Sequence, residues 1–200
     1  VQILFRVVGK ATRLLAEKQR GDELEVSGAF GRGFQIGGQG KVVLVAGGIG
    51  AAPLFFLAKR LIKQTNPPAA RIFLGAADKE EVEAYTRDFA ALGLPTLGAT
   101  DDGSSGYHGF VTDLLADSAG NDEKYTVYAC GPELMLKQVY NICKAMKWDC
   151  QVSLEAYMAC GFSVCLGCAV PKPPGKTGDK QYYHVCKDGP VFDARELPWT

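Results

Sequence analysis

Residues 41–150 alternate between short apolar runs and longer stretches in which apolar residues recur at helical spacing. The apolar runs lack the polar–apolar alternation of a half-exposed strand, and they are typical of parallel strands buried on both faces. The predicted strands are 41–46, 71–75, 96–99 and 125–129, and the predicted helices are 53–64, 79–92, 110–115 and 132–147. This alternation predicts a doubly wound α/β domain, in which helices cover both faces of a parallel sheet.

Residues 1–40 follow a different pattern, which predicts β structure. Residues 3–8 form an apolar run and residues 22–26 alternate between polar and apolar, so each segment predicts a strand. Between them, Thr12 is positioned to cap a short helix over 13–19. Two strands cannot close a barrel, and the chain starts inside a predicted strand without an initiator Met. We therefore expect an N-terminal stretch to be absent from this chain or removed by processing.

Residues 151–200 lose this regularity and predict a small, loop-rich module. They hold four cysteines, proline-rich turns within 171–178 and a final apolar stretch. Because a segment of about fifty residues buries little apolar core, we expect something other than packing to hold it together.

The overall composition narrows the possible partners and the compartment. Lys and Arg number 22 and Asp and Glu number 22, so the net charge is zero, which argues against nucleic acid as the main partner. No apolar run reaches the roughly 18 residues of a membrane span, and the start of the chain lacks the layout of a signal peptide. The seven cysteines are an odd number, which disfavours a disulfide framework. We expect a cytoplasmic protein with no membrane segment.

The cysteines near the C-terminus form the most specific motif. Cys160, Cys165 and Cys168 have the spacing C-x4-C-x2-C, and Cys186 follows after a longer segment. This is the plant-type spacing of a [2Fe–2S] cluster that is held by four thiolates. Structural zinc is the alternative, although zinc sites usually combine two short hooks of cysteines rather than a three-plus-one arrangement.

Two glycine-containing turns predict a nucleotide site. Gly48, Ile49 and Gly50 follow the first apolar run and precede a helix, where glycines let a phosphate approach the backbone. The alternative is that these glycines only allow close packing. The second turn lies at the end of another strand, where a small residue permits a flat ring to approach and a thiol can face it; it consists of Cys130, Gly131 and Pro132. The alternative there is an ordinary turn with a buried cysteine.

Acidic residues near the same strand ends bear on the choice of nucleotide. Asp78 follows the second strand of the α/β domain, where a carboxylate suits a ribose hydroxyl and repels a 2′-phosphate. Asp101 belongs to a polar turn, which we interpret as a ribose contact rather than as an acidic metal pair with Asp102. These positions predict NAD rather than NADP.

Together, the motifs resemble the ferredoxin–NADP reductase superfamily and, within it, the electron-transfer subunits of class 1B dihydroorotate dehydrogenases. The similarity runs over essentially the whole chain. It is carried by VVGKATRLL, GDELEVSGAFGRGF, VAGGIGAAPL, ATDDGSSGYHGFVTDLL, ACGPELMLK, MACGFSVCLGCAVP and HVCKDGPVFDARELPW.

This resemblance implies three parts: a partial FAD-binding β-barrel over 1–40, an NAD-binding α/β domain over 41–150 and a [2Fe–2S] module over 151–200. Gly9 and Thr12 would lie beside the FAD pyrophosphate. The turn of Gly48, Ile49 and Gly50 would face the FAD and nicotinamide nucleotide phosphates, and the turn of Cys130, Gly131 and Pro132 would line the nicotinamide pocket. The four cysteines of the motif would hold the cluster.

The resemblance also implies a function. A partner subunit in a hetero-oligomer, containing FMN, would oxidise dihydroorotate in pyrimidine biosynthesis and pass single electrons through the cluster, and FAD would then reduce NAD⁺. The same subunit type occurs in sulfide dehydrogenase, NADH-dependent ferredoxin:NADP⁺ oxidoreductase and hydrogenase-associated complexes. A zinc-stabilised nucleotide-binding module without redox turnover is the alternative of another class. In none of these roles does a side chain need to act as acid or base.

The sequence departs from the family pattern at two places. The Arg-Pro-x-Ser-type segment that holds the flavin in this family is not in these 200 residues. In the cysteine loop, Ser163 stands where a second glycine is expected. We predict a positive φ there, with either local strain or a bond from the hydroxyl to a cluster sulfur.

Overall fold

The computed structural model describes residues 2–37, 40–118, 124–173 and 181–199. The strands are β1 (Lys41–Gly47), β2 (Ala70–Ala76), β3 (Thr96–Thr100), β4 (Tyr107–His108), β5 (Tyr125–Cys130), β6 (Asp149–Ser153), β7 (Ala169–Pro171), β8 (Tyr182–His184) and β9 (Val191–Asp193). The α-helices are α1 (Lys10–Ala16), α2 (Ala51–Leu61), α3 (Lys79–Ala90), α4 (Val111–Asp117), α5 (Glu133–Met146) and α6 (Val185–Asp188). Short 3₁₀ turns occupy Gly48–Gly50 and Ala194–Glu196.

A seven-stranded sheet in the order β4-β3-β2-β1-β5-β6-β9 forms the centre of the molecule. All neighbouring strands are parallel except β6 and β9, which pair antiparallel. From β1 the chain moves outward through β2 to β4 and then returns to the other side of β1 at β5. This reversal creates a topological switch point between β1 and β5, where open α/β sheets bind ligands. The predicted parallel-sheet α/β core is confirmed.

The apolar runs form strands that are buried on both faces. Along β1, Val43 and Val45 join one core cluster, while Leu44 and Ala46 join the cluster on the opposite face. This two-sided burial explains why the run has no polar alternation. The sheet extends further than the sequence predicted, because β6 spans the expected boundary at residue 150 and β9 adds an edge strand.

Residues 2–37 do not form the two strands predicted over 3–8 and 22–26. Their one regular element is α1, which starts at Lys10 with Gly9 as N-cap, so Thr12 lies in the first turn rather than at the cap. An apolar run forms a strand only when a neighbouring strand completes its backbone hydrogen bonds. Within the described residues no such neighbour faces 3–8 or 22–26, and the predicted barrel strands are therefore absent.

The C-terminal part has little regular structure. It contains the segment 160–168, which includes Cys160, Cys165 and Cys168 and which we name the cysteine loop. Strands β7 and β8 form a separate antiparallel pair, and α6 leads from β8 to β9. Among the described residues, no helix has the length and apolar character needed to cross a membrane.

Candidate iron–sulfur and nucleotide sites

The four cysteines of the C-terminal motif lie together. The Sγ atoms of Cys168 and Cys186 are 3.3 Å apart, and both residues are buried. The side chains of Cys160 and Cys165 form a hydrogen bond, and the charge of Cys160 contributes to raising the pKa of Cys186. The fold therefore brings a loop and the start of α6 into one thiol cluster.

Backbone N–H groups point at the sulfur atoms of this cluster. Val164 and Cys165 donate to Cys160 Sγ at 3.3 and 3.4 Å. Ser163 donates to Cys186 Sγ at 3.1 Å, and Gly167 donates to Cys165 Sγ at 3.4 Å. Donors of this kind stabilise thiolates and tune the reduction potential of a cluster that the thiolates hold.

The same hydrogen bonds favour the charged form of Cys160. They lower the pKa of its thiol from 9.0 to about 6, with the backbone N–H of Cys165 as the largest cause and those of Phe162 and Val164 next. A thiol with this pKa is mostly ionised at neutral pH, and the thiolate is the form that binds metal.

This arrangement fits a two-iron cluster better than a single ion. Cys160 interacts with Cys165, and Cys168 lies beside Cys186, so the thiols form two pairs. A [2Fe–2S] cluster takes two cysteines on each iron, which matches this pairing, whereas a structural zinc needs four ligands around one point.

Ser163 adopts the positive φ that its place in the loop predicts, with a value of 65°. Its backbone N–H, rather than the hydroxyl considered from the sequence, contacts a cysteine sulfur. Leu166 has a φ of 61° and Gly161 has a φ of 77°, so the loop turns through several left-handed positions.

The two glycine-containing turns meet at the switch point of the sheet. Ala46 is the register partner of Cys130 across β1 and β5. A Cβ on Gly50 would lie 2.2 Å from the carbonyl oxygen of Cys130, and one on Gly131 would lie 2.9 Å from the backbone nitrogen of Gly47. The structure thus brings together the two turns that the sequence had singled out, through contacts that only glycine allows.

Gly48 differs from Gly50, because its α-carbon faces a more open space. It has a φ of 53°, and a Cβ there would meet only side-chain atoms at 3.5 Å or more. The turn Gly48–Gly50, which includes Ile49, leads directly into α2. On the other side, Pro132 is the N-cap of α5, and Met135 of that helix covers Gly47 and Gly131.

Cys130 is a neutral thiol in this setting. It is 3% exposed, and burial raises its pKa to about 11, against a smaller opposing effect of a hydrogen bond with Ser153. At neutral pH the thiol is therefore protonated and a poor nucleophile.

The acidic residues at the ends of β2 and β3 have local hydrogen-bonding roles. Asp78 is the N-cap of α3 and accepts a hydrogen bond from the backbone N–H of Glu81. Asp101 is exposed. Asp102 accepts hydrogen bonds from the N–H and hydroxyl of Ser104, which lower its pKa. The hydroxyl of Ser104 in turn accepts a hydrogen bond from the backbone N–H of Lys79.

An ion pair that the sequence did not predict lies beside the first glycine turn. Arg6 donates to Glu81, which also accepts hydrogen bonds from the hydroxyl of Tyr85 and the backbone N–H of Ala77. The Arg6 guanidinium and the Glu81 carboxylate are the nearest groups to the Cβ direction of Gly48. No periodicity or motif marks these residues, since their partners are 75 positions apart in the chain.

The hydrogen bonds described for Gly9 and Thr12 are local and do not link them to the two glycine-containing turns. The Thr12 hydroxyl accepts from the backbone N–H of Val8 and Gly9 and donates to the carbonyl of Gly9. No atom lies within 4 Å of the position of a Cβ on Gly9.

Two family models match the chain in the regions that contain these sites. The iron–sulfur cluster binding domain of dihydroorotate dehydrogenase B matches residues 155–198, and the oxidoreductase NAD-binding domain matches residues 44–141.

Curated relatives extend the similarity to almost the full chain. The electron transfer subunit of dihydroorotate dehydrogenase B (NAD(+)) from Caldanaerobacter subterraneus subsp. tengcongensis is 38% identical over 98% of this chain and 74% of its own length. The chain belongs to this family. The Geobacillus thermodenitrificans subunit of the same name is 40% identical over 98% of this chain and 73% of its own length. Membership of the dihydroorotate dehydrogenase B electron transfer subunits confirms the resemblance inferred from the motifs and the class of NAD-linked oxidoreductase subunit.

Solved structures agree with the fold of this family. A chain from the structure of an NADH-dependent reduced ferredoxin-NADP oxidoreductase, studied for flavin-based electron bifurcation, matches with a TM-score of 0.76 and 30% identity. The match covers 98% of this chain and 67% of that one. The cytochrome b5 reductase domain of Ulva prolifera nitrate reductase shares the fold, with a TM-score of 0.55 over 70% of this chain and 61% of that one and an identity of 19%.

Proposed function

We propose that this protein is the electron-transfer subunit of a dihydroorotate-oxidising complex and carries electrons through a [2Fe–2S] cluster and FAD to NAD⁺. The observation that carries the proposal is the thiol cluster, in which paired cysteines face backbone N–H donors within a chain of the dihydroorotate dehydrogenase B electron transfer family. The cluster ligands would be Cys160, Cys165, Cys168 and Cys186.

The nicotinamide nucleotide would bind at the switch point of the sheet. Its phosphates would approach Gly48, Ile49 and Gly50, where the glycine turn leads into α2. The nicotinamide ring would lie against Cys130, Gly131 and Pro132. The thiol of Cys130 is uncharged, and Gly131 beside it has no side chain, its Cβ direction being filled by Met135 and Gly47.

The ribose hydroxyls would be bound by Asp78 and Asp101 at the ends of β2 and β3. Negative charge there favours NAD over NADP, because it repels a 2′-phosphate. The hydroxyl of Ser104 donates a hydrogen bond to Asp102 and accepts one from the backbone N–H of Lys79. This N–H in the first turn of α3 is therefore already occupied and does not favour binding of a 2′-phosphate, which supports the same preference.

FAD would be bound by the N-terminal part, with Gly9 and Thr12 beside its pyrophosphate. The open space at Gly9 supports this placement. In this proposal residues 1–40 belong to the FAD-binding β-barrel, 41–150 to the NAD-binding domain and 151–200 to the cluster module.

The partner would be a catalytic, FMN-containing subunit that docks over the cysteine loop. Large apolar side chains around the cysteines are exposed to solvent, with Tyr157 98% and Val164 70% exposed. Contiguous exposed apolar residues mark interaction sites. All seven cysteines are free thiols in the part of the chain that the structure describes.

When bound, the cofactors supply the redox chemistry: hydride exchange with NAD⁺ at the flavin and one-electron exchange at the cluster. The chain's own residues bind, orient and insulate. Backbone donors stabilise the charged sulfurs, and the buried, uncharged Cys130 would lie beside the nicotinamide ring. No side chain is assigned as a catalytic acid or base.

Low-temperature EPR on anaerobically purified, dithionite-reduced protein tests the proposal, with iron and acid-labile sulfide measured on the same sample. We expect a rhombic S = 1/2 signal with about two irons and two sulfides per chain. A colourless protein that retains zinc and gives no signal would contradict the proposal and favour the zinc-stabilised binding module.

A different electron partner is the second candidate. The 30% identity and TM-score of 0.76 to a chain of an NADH-dependent ferredoxin-NADP oxidoreductase favour this alternative specifically. Affinity purification of the protein from its native cells distinguishes the two. Co-purification of a dihydroorotate-oxidising subunit supports the main proposal, and co-purification of a ferredoxin-dependent flavoprotein supports the alternative.

A further inference from the structure

The glycine-rich segment 28–32, which we name the linker, lies against both parts of the thiol cluster. Of its five residues, Phe30 contacts the cysteine loop, while Gly31 and Arg32 contact the region that follows Cys186. The sequence of the linker is too rich in glycine for a helix or strand.

The contact with the cysteine loop is aromatic. The ring centroids of Phe30 and Phe162 are 6.3 Å apart with an interplanar angle of 47°. Phe162 lies between Cys160 and Cys165, next to Ser163, whose N–H points at Cys186. Both rings remain about half exposed, at 53% and 56%, so their contact covers one side of the loop without burying it.

The contact with the Cys186 region is made through the backbone. Gly31 has a φ of 77°, and a Cβ there would lie 2.3 Å from the carbonyl oxygen of Gly189 and 3.2 Å from that of Cys186. Only glycine allows two backbone segments to approach this closely. The main chain of the linker is thus in direct contact with the main chain at a predicted cluster ligand.

Arg32 extends this contact into a short backbone pairing. Its N–H donates to the carbonyl of Gly189, and its carbonyl accepts from the N–H of Val191 at 3.3 Å. Further along, Gln35 and Gln151 exchange two hydrogen bonds of 2.9 Å, which fix the chain beyond the linker to β6. The linker is therefore held to the rest of the molecule on both sides of Gly31.

We infer that the linker is a positioning element that sets the separation between the flavin and the iron–sulfur cluster, with Gly31 and Phe30 as its positioning residues. The inference rests on the proposed function, because it places the flavin on the N-terminal part and the cluster on the four cysteines. Since the linker joins the N-terminal part to both cysteine segments, a displacement of its backbone moves one cofactor site relative to the other.

Gly31→Ala tests this inference, with Gly33→Ala as the matched control. A Cβ at Gly31 collides with backbone atoms, whereas nothing lies within 4 Å of one at Gly33. In anaerobic stopped-flow experiments on the full-length protein, NADH loses a hydride to become NAD⁺, which places two electrons on the flavin. The cluster accepts one of them, and the bleaching of flavin and cluster is followed separately.

We expect Gly31→Ala to keep its iron content and its rate of flavin reduction but to reduce the cluster several-fold more slowly than Gly33→Ala, because the rate of electron transfer falls as the separation of the two cofactors grows. Cluster reduction as fast as in Gly33→Ala would overturn the inference. Absence of flavin or of the EPR signal in the unaltered protein would instead overturn the proposed function.

Phe30→Ala and Phe30→Leu provide a second test that does not depend on tight packing. Because Phe30 is half exposed, neither change threatens folding. We expect Phe30→Ala to slow cluster reduction and change the EPR line shape, and Phe30→Leu to restore both towards the unaltered values. If Gly31→Ala loses its iron and Phe30→Ala transfers electrons at the unaltered rate, the positioning role is rejected.

Discussion

Two cysteines of this protein have thiol pKa values shifted in opposite directions because their surroundings differ. Cys160 accepts hydrogen bonds from backbone N–H groups, which lower its pKa to about 6. Cys130 is enclosed by the core, and burial raises its pKa to about 11. The first thiol is prepared to bind metal, and the second remains protonated beside the predicted nicotinamide pocket.

The raised pKa of Cys130 predicts how stability depends on pH. The folded state holds the thiol proton more tightly than the unfolded chain, in which the pKa is near 9.0. The free energy of unfolding contributed by this proton is fully present below about pH 9 and is lost as pH rises towards 11, up to about 3 kcal/mol. Chemical denaturation at several pH values should therefore show a steeper alkaline loss in the unaltered protein than in Cys130→Ala. Parallel curves would contradict this expectation.

We expect the protein to be more stable with glycine in place of Ser163. Its φ of 65° lies in the left-handed region, where a non-glycine residue costs about 1–2 kcal/mol, while the greater freedom of unfolded glycine offsets about 0.5–1 kcal/mol. Because the N–H that points at Cys186 belongs to the backbone, Ser163→Gly keeps it. We expect a free energy of unfolding higher by about 0.5 kcal/mol and an unchanged EPR spectrum.

Leu166→Gly is the control for this change, since its φ of 61° is similar and its side chain is exposed. A shifted EPR spectrum in Ser163→Gly alone would show that the serine hydroxyl contacts the cluster.

At the scale of elements, the turns after β1 and β5 depend on glycine for two separate reasons. Gly50 packs against the carbonyl of Cys130 at a distance that excludes any side chain. Gly48 has a φ of 53°, and a Cβ there would be in ordinary contact with the side chains of Arg6 and Glu81. Gly50 therefore joins the two turns by close packing, whereas Gly48 is required by its backbone conformation and is the position at which we propose that a phosphate approaches.

These separate reasons predict different outcomes for two similar substitutions. Gly50→Ala should lower the free energy of unfolding by about 3 kcal/mol, because the added methyl group overlaps the backbone of β5. Gly48→Ala should lower it by only about 1 kcal/mol, from the positive φ, yet should weaken NADH binding more than this change in stability explains. Denaturant titration and NADH titration of both variants check this. Equal losses of stability would show that Gly48 also serves packing.

Most helices and strands of residues 41–150 were predictable because their burial is encoded locally, although the two-residue strand β4 was not predicted. Strands β1 and β5, which are buried almost throughout, are nearly continuous apolar runs, and the covering helices carry an apolar stripe, so the pattern identifies these elements. Strand β9 has three residues and pairs with β6. A strand this short leaves too little pattern in the sequence to be predicted. Residues 3–8 had a strand pattern without a partner strand, so pattern and structure disagree there.

The sites were predictable to the extent that spacing encodes them. The C-x4-C-x2-C motif identified the thiol cluster, and the glycines at strand ends identified the turns at the switch point. The contacts of Arg6 with Glu81 and of Phe30 with Phe162 join distant parts of the chain. Such contacts follow from tertiary packing and leave no periodic signal in the sequence.

At the scale of the whole molecule, exposed apolar side chains occur mainly in two stretches, the N-terminal part and the segment around the predicted cluster ligands. Tyr157, Phe162, Val164 and Leu166 are all more than half exposed and lie within or just before the cysteine loop. The net charge of the chain is zero, so long-range attraction contributes little to association. Partner binding at this surface should therefore depend on apolar contacts, and the cluster would be covered when they form.

Tyr157→Ala tests this surface without disturbing the fold, because the side chain is 98% exposed. Buried tyrosines are common hot spots of interfaces, so we expect the Kd of the complex with the catalytic subunit to rise about tenfold, or about 1.4 kcal/mol. Phe56→Ala is the matched control, since Phe56 is 66% exposed on α2, outside the cysteine loop. Calorimetric titration should show the loss in the first variant alone, with iron content unchanged in both. Equal binding by the two variants would mean that the partner docks elsewhere, and the cysteine loop would then need another reason to keep its apolar residues in solvent.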